Sequence, residues 1–105
     1  MNPVEKKIID TFTLLIMKRR GVHRIELFGS RARGDAEPDS DMDVLVIVDD
    51  LTEKDEDYIS ECAWEAGFES GVVVVPVVFS RLEWENGPER YSLLAEAVKS
   101  DGVYL

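Results

Sequence analysis

Residues 27–34 of the chain read LFGSRARG, and residues 40–48 read SDMDVLVIV. In the first stretch an apolar run ends at a Gly-Ser pair, which is typical of a strand entering a turn. In the second stretch two aspartates at alternate positions open a continuous Val/Leu/Ile run, which predicts a strand buried on both faces. The two stretches therefore predict one strand that ends in a glycine turn and another that begins with a carboxylate pair.

Outward from these strands, the chain predicts helices and one further strand. Apolar residues at helical spacing predict a helix over residues 3–19, another that ends near residue 68, and a last one around residues 91–98. Residues 72–79 read VVVVPVVF and predict a strand, where the proline indicates a sheet edge or a bulge. The pairs that could cap helix starts are Asp50 with Glu53, Thr52 with Asp55, and Ser80 with Glu83.

The composition bounds the class of protein. At 105 residues with 45% apolar side chains, the chain is predicted to form a single domain over residues 1–105 with one modest core. The longest apolar run, residues 72–79, is far too short to span a membrane, so no membrane partner is expected. Cys62 is the only cysteine, which excludes an intrachain disulfide and fits a reducing cytoplasm.

Charge is divided unevenly along the chain. The net charge is −10, but residues 1–34 hold eight Lys/Arg against three acids, and residues 35–105 hold four against nineteen. An acidic surface repels nucleic acid, so general DNA or RNA binding is not expected. The positively charged residues 1–34 include the segment that would bind a phosphate. The acidic residues 35–105 could face a basic protein partner.

Gly29 and Ser30 have the properties of a phosphate-binding turn. A glycine after a strand lets backbone amides approach an anion closely, and Ser30 adds a hydroxyl donor. About one helical turn is predicted over residues 30–34, and it would direct its positive end at the same anion. Arg31 or Arg33 could bind two phosphate oxygens at once through the guanidinium. Taken alone, a Gly-Ser pair after a strand is more often a simple turn.

Asp41 and Asp43 are candidate metal ligands. Side chains two apart on a strand share one face and lie about 6–7 Å apart along it. Two carboxylates this close, beside a buried run, are costly unless a cation neutralises them, and Mg²⁺ prefers such ligands together with substrate phosphates. A calcium loop from Asp39 to Asp50 is a rival interpretation, but its sixth position is Val44, within a predicted strand. Alone, an Asp-x-Asp sequence is also common at solvated strand starts.

Together the two stretches form the pattern Gly-Ser-x10-Asp-x-Asp between apolar strands. This pattern closely resembles the nucleotidyltransferase signature of the DNA polymerase β-like superfamily. The chain length and the order of elements resemble its minimal nucleotidyltransferase group, which includes the antitoxin half of HEPN–MNT toxin–antitoxin pairs. The resemblance implies an α/β (α+β) fold in which helices pack on a small mixed sheet.

The resemblance also implies roles for the motif residues. Gly29 and Ser30 would bind the triphosphate of an NTP, in the first instance ATP. Asp41 and Asp43 would be the catalytic residues and would hold one or two Mg²⁺. The implied reaction transfers a nucleoside monophosphate, AMP from ATP, to a hydroxyl of a protein or RNA acceptor. The resemblance favours a HEPN-type RNase toxin as that acceptor.

Many members of the superfamily have a third carboxylate on a later strand, and this chain lacks one there. Residues 72–79 contain no acid, and Glu69, just before them, is the remaining substitute. A second hypothesis is therefore a binding module or antitoxin that keeps the fold and Mg–NTP binding without turnover. A third is a subunit that acts on a small cationic molecule such as an aminoglycoside. An oligomer is compatible with each of the three.

Overall fold

The computed structural model describes residues 1–86 and the backbone of residues 103–104. Its elements, in chain order, are α1 (Pro3–Met17), β1 (Arg24–Phe28), α2 (Ser30–Arg33), β2 (Met42–Val48), α3 (Glu53–Phe68), β3 (Val74–Ser80), α4 (Arg81–Asn86) and β4 (Val103–Tyr104). The predicted order of helices and strands is confirmed as far as residue 86. The helix predicted around residues 91–98 lies outside the described residues.

Four strands form one mixed sheet in the order β3-β2-β1-β4. β1 pairs antiparallel with both β2 and β4, whereas β2 and β3 are parallel. β2 therefore lies inside the sheet, where every residue of the strand except Asp43 is buried, and this explains its continuous apolar run. Among the described strands β3 has β2 as its one neighbour, so Pro76 lies on an edge strand, as predicted.

The two faces of the sheet carry separate apolar clusters. The main core packs alternate residues of β2 against α1 and α3, and it includes Phe12, Met42, Val44, Val46, Val48 and Ile59. The second cluster consists of Phe28, Leu45, Ile47 and Phe79. Because side chains alternate along a strand, Asp43 belongs to the face of this second cluster, opposite α1 and α3. The predicted fold, a small mixed sheet packed by helices, is confirmed.

The ends of the elements differ slightly from the predicted bounds. α3 is capped by Thr52 with Asp55 rather than by the Asp50 pair. β3 begins two residues later than predicted because the Val72 amide donates to the Gly67 carbonyl at 3.1 Å in the turn that leaves α3. The Ser80 cap of α4 forms as predicted. None of the helices in the described part of the chain is long and apolar enough to cross a membrane.

Candidate active site

The corner between β1 and α2 lies against the start of β2. Phe28, the last residue of β1, pairs with Asp43 across the antiparallel ladder. Gly29 follows at φ +76° and ψ −158°, a conformation essentially restricted to glycine. A Cβ at this position would overlap Oδ2 of Asp43 and lie 3.3 Å from its Cγ. Gly29 is thus required both by its backbone conformation and by the carboxylate packed against it.

Replacing Gly29 with alanine is expected to lower the free energy of unfolding by about 1–3 kcal/mol, the usual cost of a strained backbone of this kind. Urea denaturation measures the change. Gly21→Ala is the matched control, because Gly21 has no positive φ and an added Cβ there meets nothing within 4 Å. Equal unfolding free energies for the two variants would contradict the close packing of Gly29 on Asp43.

α2 is a single turn, Ser30–Arg33, held between Gly29 and Gly34. The carbonyl of Gly29 accepts hydrogen bonds from the last two amides of this turn, both at 3.1 Å. Gly34 ends the turn at φ +80°. The first two amides, those of Ser30 and Arg31, therefore have no acceptor within the helix. They lie at the end of the turn that adjoins Gly29, next to the Asp43 carboxylate, and form a set of donors suited to an anion.

Asp41 immediately precedes β2, and Asp43 is the second residue of that strand. Asp41 is exposed, whereas Asp43 is half-buried. Burial raises the pKa of the Asp43 carboxyl, the charge of Asp41 raises it further, and the guanidinium of Arg33 lowers it. Two carboxylates that repel each other, one of them partly desolvated, suit a hard divalent cation, which prefers carboxylate oxygens. The donor set of this pair therefore fits the implied metal.

Asp43→Asn is expected to make the metal-free protein more stable at pH 7. A carboxyl whose pKa is raised by folding favours the folded state at low pH, and that contribution is lost as the pH rises through the raised value. Urea denaturation in EDTA measures the gain, which should vanish below the ordinary carboxyl pKa of 3.8. Asp39→Asn, on the exposed loop nearby, is the matched control. A loss of stability at pH 7 would contradict the electrostatic description.

The position for a third carboxylate beside this pair is filled by valine. Val75 on β3 is in register with Asp43, and parallel register places their side chains on the same face. Glu69 caps the C-terminus of α3, which packs on the opposite face of the sheet. Among the described residues, no three His, Cys, Asp or Glu side chains are grouped to hold a metal. Glu69 as a substitute ligand is therefore wrong, and so is the calcium loop, whose residues from Met42 onward form β2.

Arg31 differs from its predicted role as a phosphate ligand. Its Nε donates to the Ser40 carbonyl at 2.9 Å, its Nη2 to the Pro38 carbonyl at 2.9 Å, and its Nη1 to Oε2 of Glu5 at 3.1 Å. The side chains of Arg31 and Glu5 are each only 6% exposed. The guanidinium is thus used inside the protein, where it fastens the loop before Asp41 to α1, and the prediction that Arg31 binds a nucleotide is corrected.

Glu5 is the residue of this site that sequence reasoning missed. Its Oε1 accepts from the Asn2 amide at 2.9 Å in the cap of α1, while Oε2 holds Arg31. An Asn-x-x-Glu cap can be read from a sequence, but the second bond joins residues 26 positions apart, and no local pattern indicates it. Burial of both partners makes the pair a structural support for the loop that carries Asp41.

Arg33 lies at the surface beside the carboxylate pair. Its side chain is 47% exposed, and its Nε donates to Oδ2 of Asp35 at 3.2 Å. An exposed pair of this kind is weak and exchanges readily with water. Since its charge also acts on Asp43, Arg33 is the basic side chain of the motif placed to meet an anion at this corner.

Comparison with known proteins assigns the class. Residues 13–105 match the model of the nucleotidyltransferase domain family, and the chain belongs to that family and is a nucleotidyltransferase. It is similar to two candidate protein adenylyltransferases of Methanocaldococcus jannaschii, MJ0604 and MJ0141, at 38% and 34% identity over 77 residues. Each match covers 72% of this chain and 73% of the relative.

Solved structures with the same fold come from toxin–antitoxin complexes. A mutant of the toxin–antitoxin MntA-HpeT matches 100% of this chain and 72% of its own, with 25% identity and a TM-score of 0.65. A toxin–antitoxin crystallised with AMP-PNP matches 95% of this chain and 70% of its own, with 24% identity and a TM-score of 0.64. A complex of tri-AMPylated Shewanella oneidensis HEPN toxin with MNT antitoxin has 19% identity, covers 96% and 70%, and has a TM-score of 0.59.

Proposed function

We propose that this chain transfers AMP from ATP to a hydroxyl group of a protein, in a reaction that depends on Mg²⁺. The observation that carries the proposal is the corner where Gly29 packs on Asp43, because it sets anion-binding amides beside a carboxylate pair. The names of the two archaeal relatives support protein as the acceptor class. The names of the two archaeal relatives do not point to the third hypothesis, an enzyme acting on a small cationic molecule.

The triphosphate would lie on the β1–α2 corner. The amides of Ser30 and Arg31 and the Ser30 hydroxyl would donate to its oxygens, and the exposed guanidinium of Arg33 would bind a phosphate. Gly29 is needed there because any side chain would displace the Asp43 carboxylate. In this arrangement Arg31 would contact the nucleotide only through its backbone amide.

Asp41 and Asp43 would hold Mg²⁺, with phosphate oxygens and water completing the coordination. When bound, the cation lowers the charge on the α-phosphate and on the departing pyrophosphate. The acceptor oxygen bonds to the α-phosphorus as the bond to the β-phosphate oxygen breaks, and the hydroxyl proton leaves to solvent. The two carboxylates would align the reacting groups, Asp43 from within a buried strand and Asp41 from the residue just before it.

A HEPN-domain toxin is the acceptor we propose. The support is a similar fold seen in complex with an AMPylated HEPN toxin, and the acidic character of residues 35–105, which suits a basic partner. Such a pairing belongs in the cytoplasm, where ATP is available and the free, buried Cys62 would stay reduced. The acceptor would bring its own hydroxyl to the face of the sheet that carries Asp43.

The second candidate function is a binding module that neutralises its partner without turnover. Val75 favours it, because valine stands beside Asp43 where many nucleotidyltransferases have a third carboxylate. A two-carboxylate site can still bind Mg–ATP, so the two candidates differ in turnover rather than in nucleotide binding.

The test is label transfer from α-³²P-ATP into a purified HEPN toxin and, separately, into host lysate. We expect a labelled protein band that needs this chain and Mg²⁺ and disappears with EDTA. With the purified toxin, label from γ-³²P-ATP should give no band, because the γ-phosphate leaves with pyrophosphate. Mg–ATP binding without label transfer to the toxin or to any lysate protein would favour the binding module.

A further inference from the structure

The outer face of α3 carries an exposed aromatic pair. Trp64 and Phe68 lie one helical turn apart, each is 68% exposed, and their ring centroids are 4.8 Å apart at a tilt of 34°. Val73, in the turn before β3, is 62% exposed. We call Trp64, Phe68 and Val73 the aromatic patch. Single exposed apolar residues are ordinary, but a contiguous group of large ones marks an interaction site.

A groove runs from the aromatic patch to the edge of the sheet. It encloses about 540 Å³, and its lining includes Gly67, Gly71 and Pro76. Gly67 cannot carry a side chain, because an added Cβ would lie 3.1 Å from the backbone carbon of Val72 and overlap its oxygen. The turn that leaves α3 therefore packs directly on the backbone of Gly67, and neither the carboxylate pair nor its supporting residues line the groove.

The segment that carries the aromatic patch is acidic. Residues 55–80 contain six Asp or Glu and no Lys, Arg or His. On α3 and its C-cap the exposed acids next to the aromatic pair are Glu61, Glu65 and Glu69. The patch is thus an apolar surface with a rim of one sign of charge, which selects partners of the opposite sign.

We propose that the aromatic patch docks an amphipathic helix of a partner protein, one whose apolar side chains are flanked by Lys or Arg. A second copy of this chain would bring an acidic rim against an acidic rim, and nucleic acid would be repelled in the same way. A strand added at the sheet edge is disfavoured, since Pro76 lacks an amide donor in β3. A helix laid in the groove meets both the apolar floor and the charged rim.

This docking surface goes beyond the proposed function and does not need nucleotide transfer. The apolar face of the helix would cover the indole and phenyl rings, which are the kind of side chain that dominates binding energy at interfaces. Its basic residues would reach the three glutamates at the rim, so that binding weakens as salt concentration rises. The patch lies on the α3 side of the sheet, so a docked partner leaves the face with Asp43 accessible.

The probe is a fluorescein-labelled helical peptide with leucines at i, i+4 and i+7 and lysines on either side, titrated with the full chain. The comparison peptide has glutamate in place of each lysine. Fluorescence anisotropy without nucleotide or metal gives the dissociation constants, so failure here is separate from failure of AMP transfer. We expect the basic peptide to bind and the acidic peptide not to bind. The affinity for the basic peptide should fall by about tenfold or more with Trp64→Ser or Phe68→Ser. Leu14→Ser, which removes another exposed apolar side chain (65% exposed), should bind like the parent chain.

Four outcomes would overturn the proposal. The basic peptide does not bind, or it binds the Trp64→Ser and Phe68→Ser proteins as tightly as the parent chain, which leaves only charge attraction. The acidic peptide binds equally well, which removes the role of the rim. Sedimentation velocity reveals a dimer that Trp64→Ser converts to monomer, which makes a second copy of the chain the occupant of the aromatic patch.

Discussion

The double variant Asp41→Asn/Asp43→Asn is expected to lose at least about 1,000-fold in the rate of AMP transfer. Asparagine keeps the shape of each side chain but removes both negative charges that would hold Mg²⁺. A bound metal contributes several kcal/mol to stabilising the transferred phosphoryl group, and each loss of about 1.4 kcal/mol is tenfold in rate. Single-turnover label transfer from α-³²P-ATP measures the loss.

The matched control is Asp49→Asn/Asp50→Asn, which removes two exposed charges beyond the opposite end of β2. Its rate should stay close to that of the parent chain. We do not expect a folding defect to cause the loss in the first variant, because removing the Asp43 charge is expected to stabilise the metal-free protein. A double variant that retains its rate would place the reaction away from this corner.

Arg31→Ala is expected to lower the free energy of unfolding by about 3–5 kcal/mol, the usual cost of breaking a buried ion pair from one side. The substitution leaves the Glu5 carboxylate buried without its cation and frees the carbonyls of Pro38 and Ser40. Urea denaturation measures the change. Transfer activity should fall as well, because the loop before Asp41 loses its anchor.

Arg33→Ala is the control for stability, since it removes an exposed arginine two residues away that is paired with Asp35. Its unfolding free energy should change by less than about 1 kcal/mol. Arg31→Lys serves if the alanine variant does not fold, because one ammonium can bond Glu5 but cannot span both carbonyls. A fully stable Arg31→Ala protein would return this arginine to the role of a phosphate ligand.

Local signals predicted most of the fold. The end of β1 was predicted correctly because Gly29 ends its apolar run, and the burial of β2 because its apolar run is continuous. β2 begins at Met42, one residue after the predicted start at Asp41. Pro76 indicated that β3 is an edge strand or contains a bulge, because proline has no backbone N–H to donate to a neighbouring strand. Among the described strands β3 lies at the edge of the sheet. Each of these predictions depends on residues within a few positions of one another.

The arginines of the motif show where sequence reasoning fails. Arg31 and Arg33 look alike in LFGSRARG, and both could reach a phosphate. Arg31 is buried and Arg33 is exposed because a helical turn directs residues two apart to different sides. Glu5 of α1 lies only on the side of Arg31. The register of Val75 with Asp43 was equally hidden, since it depends on the length of the turn between α3 and β3.

The bond between Arg31 and Glu5 links the order of two regions that are far apart in sequence. Helix ends are the first parts of a protein to open, and Glu5 lies in the first turn of α1. When that turn frays, Arg31 loses one of its three partners, and only its bonds to the carbonyls of Pro38 and Ser40 remain. Opening of the N-terminal turn is therefore expected to loosen the loop before Asp41, and a contact that holds α1 closed from outside should favour the observed geometry of the carboxylate pair.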